Sequence, residues 1–244
     1  MHKHNHPVNC IVPPHMLETI AENGTAAQRD MAVKTLITSG EMRGRRLAMS
    51  EYVAAVMREA VGGGKDRLVY DAKNGLTLPG TLVRKEGDPP ASDIAINEAY
   101  DGSGATYDLF KDIYNRDSID ANGMQLKSTV HYRKGYDNAF WNGDQMVYGD
   151  GDEDQPEDDR LFNRFTIAID IIGHELTHGV TQFEAKLVYS YQPGALNESM
   201  SDVFGSLVKQ RALNHTAAQA DWIIGEGLFT PNVNGVGIRS MKEP

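Results

Sequence analysis

At 244 residues, with 40% hydrophobic and 24% charged side chains, the chain is long enough for one or two packed cores and too apolar to be disordered throughout. A net charge of −10 argues against nucleic-acid binding, and no run of about eighteen apolar residues exists to span a bilayer. The single cysteine, Cys10, permits no intramolecular disulfide, and Met1-His2-Lys3-His4-Asn5-His6-Pro7 lacks the apolar centre of a secretory signal. The expected address is therefore the cytoplasm, or the outside of the cell by a route without such a signal.

Residues 1–46 read as a helical unit. Met16-Leu17-Glu18-Thr19-Ile20-Ala21 and Met31-Ala32-Val33-Lys34-Thr35-Leu36-Ile37 space apolar residues at three and four, with Asn23-Gly24 as the break between them. Arg43-Gly44-Arg45-Arg46 and Gly62-Gly63-Gly64-Lys65 then punctuate the chain as an exposed, cleavable connection would. Short strands are predicted at Arg67–Asp71, Leu76–Leu78, Thr81–Arg84 and Ser128–Tyr132, with Asn74-Gly75 as a hairpin-type turn and a helix near Ala95–Asn115. Asp137–Gly143 and Met146–Gly149 read as an irregular hairpin at a cleft edge. The acidic run Asp150–Asp159 opens like a calcium loop, but Gln155 stands where a turn glycine belongs and Leu161 where a bidentate glutamate belongs. A solvated surface loop is the expectation. Helical periodicity then runs from Phe162 to Phe183, with Phe165, Ala168, Ile169, Ile172, Leu176 and Val180 on one stripe, and a second helix spans about Ala195 to Leu213.

The chemistry is concentrated in Gly173-His174-Glu175-Leu176-Thr177-His178 and in Gly194-Ala195-Leu196-Asn197-Glu198-Ser199. Histidines four apart on a helix share one face, so His174 and His178 can converge on one Zn²⁺. A catalytic zinc takes three protein ligands and keeps one position open, and Glu198 on the following helix supplies the third. Glu175 cannot join them without bending the helix; it faces the zinc-bound water and would take its proton. Asp202, one turn after Glu198, is placed to hydrogen-bond the outer nitrogen of a zinc-bound histidine, and Tyr189, between the helices, to donate to an oxyanion. Glu184 occupies the slot of a third histidine in a related pattern, but Thr181 stands where glycine must reverse the chain, which excludes it. The set reads as a peptidase.

With these residues in hand, the chain from about Leu68 to Pro244 resembles the thermolysin-like zinc metalloproteases. Asn138–Gly143, Met146–Asp152, His174–His178, Gly194–Glu198 with Ser201-Asp202, and Arg239-Ser240-Met241 carry the resemblance in order and spacing. It implies an α+β fold, in which a β-rich N-terminal lobe over residues 51–193 includes the zinc helix and residues 194–244 begin an incomplete helical lobe. It implies that Asn138 and the backbone at Ala139 bind the peptide, and that Arg239 grips a substrate carbonyl. By the same resemblance Phe165, Ile171, Ile224 and Ile238 line the pocket after the scissile bond, which would then prefer a bulky hydrophobic residue. Cys10-Ile11-Val12-Pro13-Pro14-His15-Met16-Leu17 resembles the short propeptide of the protealysin-like subgroup. Residues 1–50 are therefore expected to be a helical propeptide, a partner in cis, with Pro13 and Pro14 in the cleft and Cys10 near the open zinc position. The family's double calcium site corresponds to Asp170, Lys209, Asp221, Ile223 and Glu226. Two of these five are no longer acids, so Lys209 is expected to pair with Asp170 and with Asp221 in place of calcium. The family's downstream histidine, which stabilises the transition state, would lie beyond Pro244. The expected function is a zinc endopeptidase precursor acting on peptides and proteins; the alternative is a truncated zinc-binding fragment that holds peptides or a partner with little catalysis.

Overall fold

The computed structural model describes residues 11–56, 63–187 and 191–243. Two helices come first, α1 (Pro14–Asn23) and α2 (Ala26–Val56). Pro13 caps α1 and Pro14 opens it, where a missing N–H costs nothing. Thr25 and Gln28 close a capping box on α2, Gln28 Oε1 accepting from Thr25 N at 2.8 Å and Thr25 Oγ1 accepting from Gln28 N at 3.3 Å. The helix then runs through Arg43-Gly44-Arg45-Arg46, so the chain does not break where those residues suggested a connection. Its inward face also differs from the expected stripe. Met31 and Ala32 are buried and Leu36 packs partly against the core, but Val33 and Ile37 face solvent, and the seam also contains Thr35, Thr38 and Ser39. Thr35 Oγ1 accepts from Asp137 N at 3.0 Å, Ser39 Oγ lies 3.0 Å from the Tyr136 hydroxyl, and Arg133 donates to Thr38.

The β lobe follows as β1 (Arg67–Asp71), β2 (Thr81–Lys85), α3 (Ile94–Tyr114), β3 (Leu126–Val130), β4 (Ala139–Trp141) and β5 (Met146–Tyr148). The sheet order is β2-β1-β3-β5-β4, with β1, β3 and β5 parallel at the centre and β2 and β4 antiparallel at the edges. Leu76–Leu78 is not a strand: the Ala72–Gly75 turn forms, but a longer loop carries the chain to β2. Asp93 caps α3 by accepting from Ala95 N at 2.8 Å, and Asn115 ends it in the left-handed conformation. The acidic segment is less solvated than expected. Asp152 is buried and accepts from Leu161 N and Phe162 N at 2.7 and 2.9 Å, while Asp150 ties to His131 at 2.9 Å; a short 3₁₀ turn follows at Glu157–Asp159.

The helical part consists of α4 (Ile169–Glu184) and α5 (Tyr191–Ala212), with the short strands β6 (Ile223–Ile224) and β7 (Arg239–Ser240) after them. Helix α4 begins later than its periodicity implied, because Phe162 makes a β-bridge to Phe229 and Ala168 is still extended. It is buried on nearly every face, between α3, β4 and α5. Close packing against α5 depends on Gly205: a Cβ there would sit 2.5 Å from the Asp170 carbonyl oxygen and 3.1 Å from His174 N. On the α3 side, a Cβ on Gly102 would meet Ile172 Cδ1 at 2.4 Å. The result is an α+β molecule with α4 as the element that every other layer touches.

Candidate active site

Two pairs of residues one turn apart on α5, Asn197 with Ser201 and Glu198 with Asp202, face two histidines one turn apart on α4. His174 Nε2 and His178 Nε2 are 3.0 Å apart, and the Glu198 carboxylate lies 3.5 and 3.4 Å from them. The outer nitrogens are both tied. His174 Nδ1 is 2.8 Å from Asp202 Oδ1, while His178 Nδ1 is 2.7 Å from Asn197 Oδ1 and 3.0 Å from Ser201 Oγ. With both Nδ1–H groups donating outward, the Nε2 lone pairs point at one place beside a carboxylate, an arrangement that repels itself unless a cation enters. The three residues offer donor atoms that all lie within 4.8 Å of one another. The local field agrees: burial opposes charge on His174, yet Asp202 and Glu198 outweigh it and push the imidazole up to about 9. Asp202 itself is held far below the carboxylate range; its burial works the other way but is overcome by His174 and Arg239. Two imidazoles and a carboxylate are a zinc donor set, so the residues present fit that metal.

Glu175, fully buried, turns toward the sheet, where its Oε2 accepts from Trp141 N at 3.0 Å. The edge strand β4 therefore hangs directly over the histidine pair. Into the cleft beneath it runs the start of the described chain. Ile11 and Val12 are wholly buried. Val12 N donates to Asn138 Oδ1 at 3.1 Å and Asn138 Nδ2 donates to Val12 O at 3.3 Å; Ile11 O accepts from Arg239 Nη1 at 3.0 Å. Arg239 also grips Asp202 with Nε and Nη2, at 2.9 and 2.7 Å. The Ala139 N–H is turned to Asn138 Oδ1 at 3.0 Å. Pro13 and Pro14, with Glu198, Asp202, Ile238 and Arg239, line a cavity of about 540 Å³. Phe165, Ile171 and Ile224 are fully buried in the core that also holds Ile11 and Val12, with Ile238 packed against it.

Cys10 and Tyr189 lie outside the described residues. Glu184 points away and pairs with Arg116 at 2.6 Å. At the positions of the expected calcium replacement, Lys209 Nζ is 2.6 Å from Asp221 and 3.0 Å from Glu226, but 3.6 Å from Asp170. The expected principal partner is thus the most distant of the three. Asp170 Oδ2 accepts instead from Gly225 N at 3.2 Å, and burial pushes this carboxyl up to about 6 against the pull of Lys209. Ile223 pairs with Ser240 in β6 and β7. Asn197 and Ser201 were not singled out from the sequence as partners of His178. Their spacing, which repeats that of Glu198 and Asp202 one residue earlier, is the signal that finds them.

Comparison with known proteins agrees with this geometry. The family model for the thermolysin metallopeptidase catalytic domain matches residues 54–182, and that for the thermolysin metallopeptidase α-helical domain matches residues 185–244. The chain is 48% identical to an extracellular metalloprotease of Pectobacterium carotovorum subsp. carotovorum and 47% identical to protease PrtS of a Photorhabdus species, over 98% and 96% of its own length. It spans 66% and 62% of the length of those two proteins. The solved precursor of protealysin, a metalloproteinase from Serratia proteamaculans, superposes with a TM-score of 0.82 at 48% identity, over 97% of this chain and 66% of that one. Two adjoining family matches, these identities and the His174, His178, Glu198 cluster together place the chain in the thermolysin family of zinc metallopeptidases.

Proposed function

We propose that the chain is the precursor form of a zinc endopeptidase whose own N-terminal segment, residues 1–50, occupies the substrate cleft, with a catalytic lobe over 51–193 and the start of a helical lobe from 194. The observation that carries this is the pairing of Val12 with Asn138 and of Ile11 O with Arg239 over the histidine pair. A peptide backbone held by an edge-strand asparagine and an arginine is bound as a substrate would be.

In this reading His174, His178 and Glu198 hold the metal, with Asp202, Asn197 and Ser201 fixing the imidazoles. The chemistry a zinc ion supplies there is a Lewis-acid pole for the scissile carbonyl and a lowered pKa for the attacking water. Glu175, oriented by Trp141 N, takes the proton from that water and passes it to the leaving amine. Arg239 holds a substrate carbonyl, as it holds Ile11 O. Tyr189 donates to the developing oxyanion. Phe165, Ile171, Ile224 and Ile238 receive a bulky hydrophobic side chain after the scissile bond. Cys10, two residues before Val12, adds a thiol to the inhibitory segment; unchanged latency in Cys10→Ala would remove it from the mechanism. Lys209 serves as a fixed cation where the family binds calcium. The related extracellular metalloprotease supports export over a cytoplasmic location.

The test is intact-mass measurement of the zinc-supplied chain over time beside Glu175→Ala. Loss of an N-terminal piece of about fifty residues in the parent alone is expected, since removing a general base typically costs about 10²–10⁴ in rate. Unchanged mass in both proteins, with zinc bound one to one, would refute the reading in favour of a zinc-binding chain that holds peptide without cleaving it.

A further inference from the structure

The edge strand β4 pairs with β5 alone in its sheet, yet it has to hold the Glu175 carboxylate and present Asn138 at its start. Something else must fix its height above α4. Glu175, Gly179 and Gln182 fall at i, i+4 and i+7 of that helix, on one stripe, and all three meet Trp141 or the turn after it. Trp141 N donates to Glu175 Oε2 at 3.0 Å. The indole lies over Gly179, where a Cβ would stand 3.1 Å from Cε2 and Cζ2 of the ring. The indole Nε1–H donates to Gln182 Oε1 at 3.1 Å, and Gln182 Nε2 donates to the carbonyl of Gly143 at 3.4 Å. Gly143 sits at φ +105° in the turn that closes β4 onto β5. One side-chain amide therefore ties both the tryptophan ring and the end of the hairpin to the helix that carries the histidines.

We propose that Gln182 is a positioning residue for the peptide-bond cleavage assigned above: it fixes Trp141 and the Gly143 turn, and through Trp141 N it sets where the Glu175 carboxylate stands. The proposal rests on the peptidase reading. The physical reason is that Trp141 is 1% exposed and Gln182 9% exposed, so an indole N–H or a carbonyl deprived of Gln182 has little water to turn to. The strand must shift to regain a partner, and Trp141 N moves with it. A carboxylate that has to receive a proton in the transition state loses rate when it is displaced by about an ångström. Simple space-filling by Gln182 would need neither of its two hydrogen bonds.

The experiment uses the full 244-residue chain, ¹⁵N-labelled and zinc-loaded, as parent, Gln182→Leu and Gln182→Glu. Leucine keeps the volume and loses both bonds; glutamate restores the acceptor for the indole. In Gln182→Leu, hydrogen exchange of the Trp141 backbone amide and indole should quicken about tenfold or more, a loss of roughly one hydrogen bond. The indole of Trp222, which donates to Ala217 O, serves as internal control and should not change. On a peptide substrate, measured once the zinc-loaded chain has shed its N-terminal segment, kcat should fall about tenfold with KM within about twofold, and Gln182→Glu should recover the indole protection and most of kcat. Unchanged Trp141 exchange in Gln182→Leu of a cleaving parent sinks this proposal alone, as does a glutamate variant no better than leucine. A parent that neither sheds its N-terminal segment nor cleaves the peptide sinks the peptidase reading and this proposal with it.

Discussion

Substituting Gly205 by alanine tests whether the closeness of α4 and α5 is what makes the metal site. The added Cβ would stand 2.5 Å from the Asp170 carbonyl oxygen, 3.1 Å from His174 N and 3.3 Å from His174 Cβ. The first two are backbone atoms of a buried helix and the third is the Cβ fixed to it, so none of them can swing aside. The helices must part by about half an ångström to restore ordinary contact, and overpacking of this kind costs about 1–3 kcal/mol. For a domain of this size that is roughly 2–12 °C in Tm at about 2–4 °C per kcal/mol. The metal should feel the change separately from the fold. His174 and His178 ride on α4, whereas Glu198, Asp202, Asn197 and Ser201 ride on α5, so parting the helices stretches ligand and hydrogen-bond distances together. Loss of such supporting geometry typically weakens metal binding by about 10–100-fold. The assay is zinc affinity by chelator competition, with thermal melts of the zinc-free and zinc-loaded proteins. The expected result is a lower melting temperature without zinc and a smaller rise on adding it. A Gly205→Ala protein that melts and binds zinc like the parent would show that the inter-helix spacing is not what assembles the ligands.

Asp202→Asn removes the charge that His174 and Arg239 share, and should weaken zinc binding about tenfold or more in the same competition assay; unchanged affinity would reduce Asp202 to a partner of Arg239. Lys209→Met leaves Asp170, Asp221 and Glu226 without their cation. It should lower the melting temperature and make it responsive to millimolar calcium, whereas the parent should be indifferent to a calcium-selective chelator; a chelator-sensitive parent would contradict the replacement. His131 is held between Asp150 and Asp93 at 2.9 and 2.8 Å, and Asp150, opposed by burial and helped by Asp93, raises its imidazole to about 9. Because the folded value lies above the unfolded one of about 6.5, its contribution is complete below about 6.5 and disappears as pH rises through the folded value. The parent should therefore lose more melting temperature between neutral and alkaline pH than His131→Asn, a variant that tolerates the φ of +53° at this position; parallel curves would count against the linkage.

What the sequence disclosed and what it hid divide along a physical line. The histidine pair, Glu198 and Asp202 were readable because helix periodicity converts spacing into facing, and the helices that carry them are real over those positions. The central strands and α3 were readable from hydrophobic runs bounded by turn residues. The start of α4 was misplaced because Phe162 and Phe165 are buried by tertiary contacts of an irregular segment, which helical spacing mimics by chance. The acidic segment looked solvated from its charges, but a carboxylate that accepts two backbone N–H groups, as Asp152 does, can be buried where an unpaired one cannot. The tie of Gln182 to Trp141 was invisible, since a lone glutamine on a helix carries no pattern and its partner lies forty-one residues away.

The seam of helix α2 bears on how a cleft-bound segment could be both secure and removable. Its apolar residues suggested an oily seam, yet Val33 and Ile37 face outward, and the inward face sets Thr35, Thr38, Ser39 and Gln28 beside Met31, Ala32 and Leu36, Gln28 donating to Asp159 O at 3.0 Å. Net, such hydroxyl and amide bonds contribute about 0.5–1.5 kcal/mol each, because water replaces them on separation. Ile11, Val12 and Leu17 add apolar anchorage to that of Met31, Ala32 and Leu36. While the chain is continuous, ordering α2 raises the effective concentration of that short plug, and weak bonds suffice. On the precursor reading, once the connection is cut the plug would have to hold the cleft as a separate molecule against the entropy of release, with a partly polar seam that resolvates readily. On the precursor reading proposed above, a seam that mixes such hydroxyl and amide bonds with few apolar contacts suits a releasable inhibitor better than a wholly apolar one would.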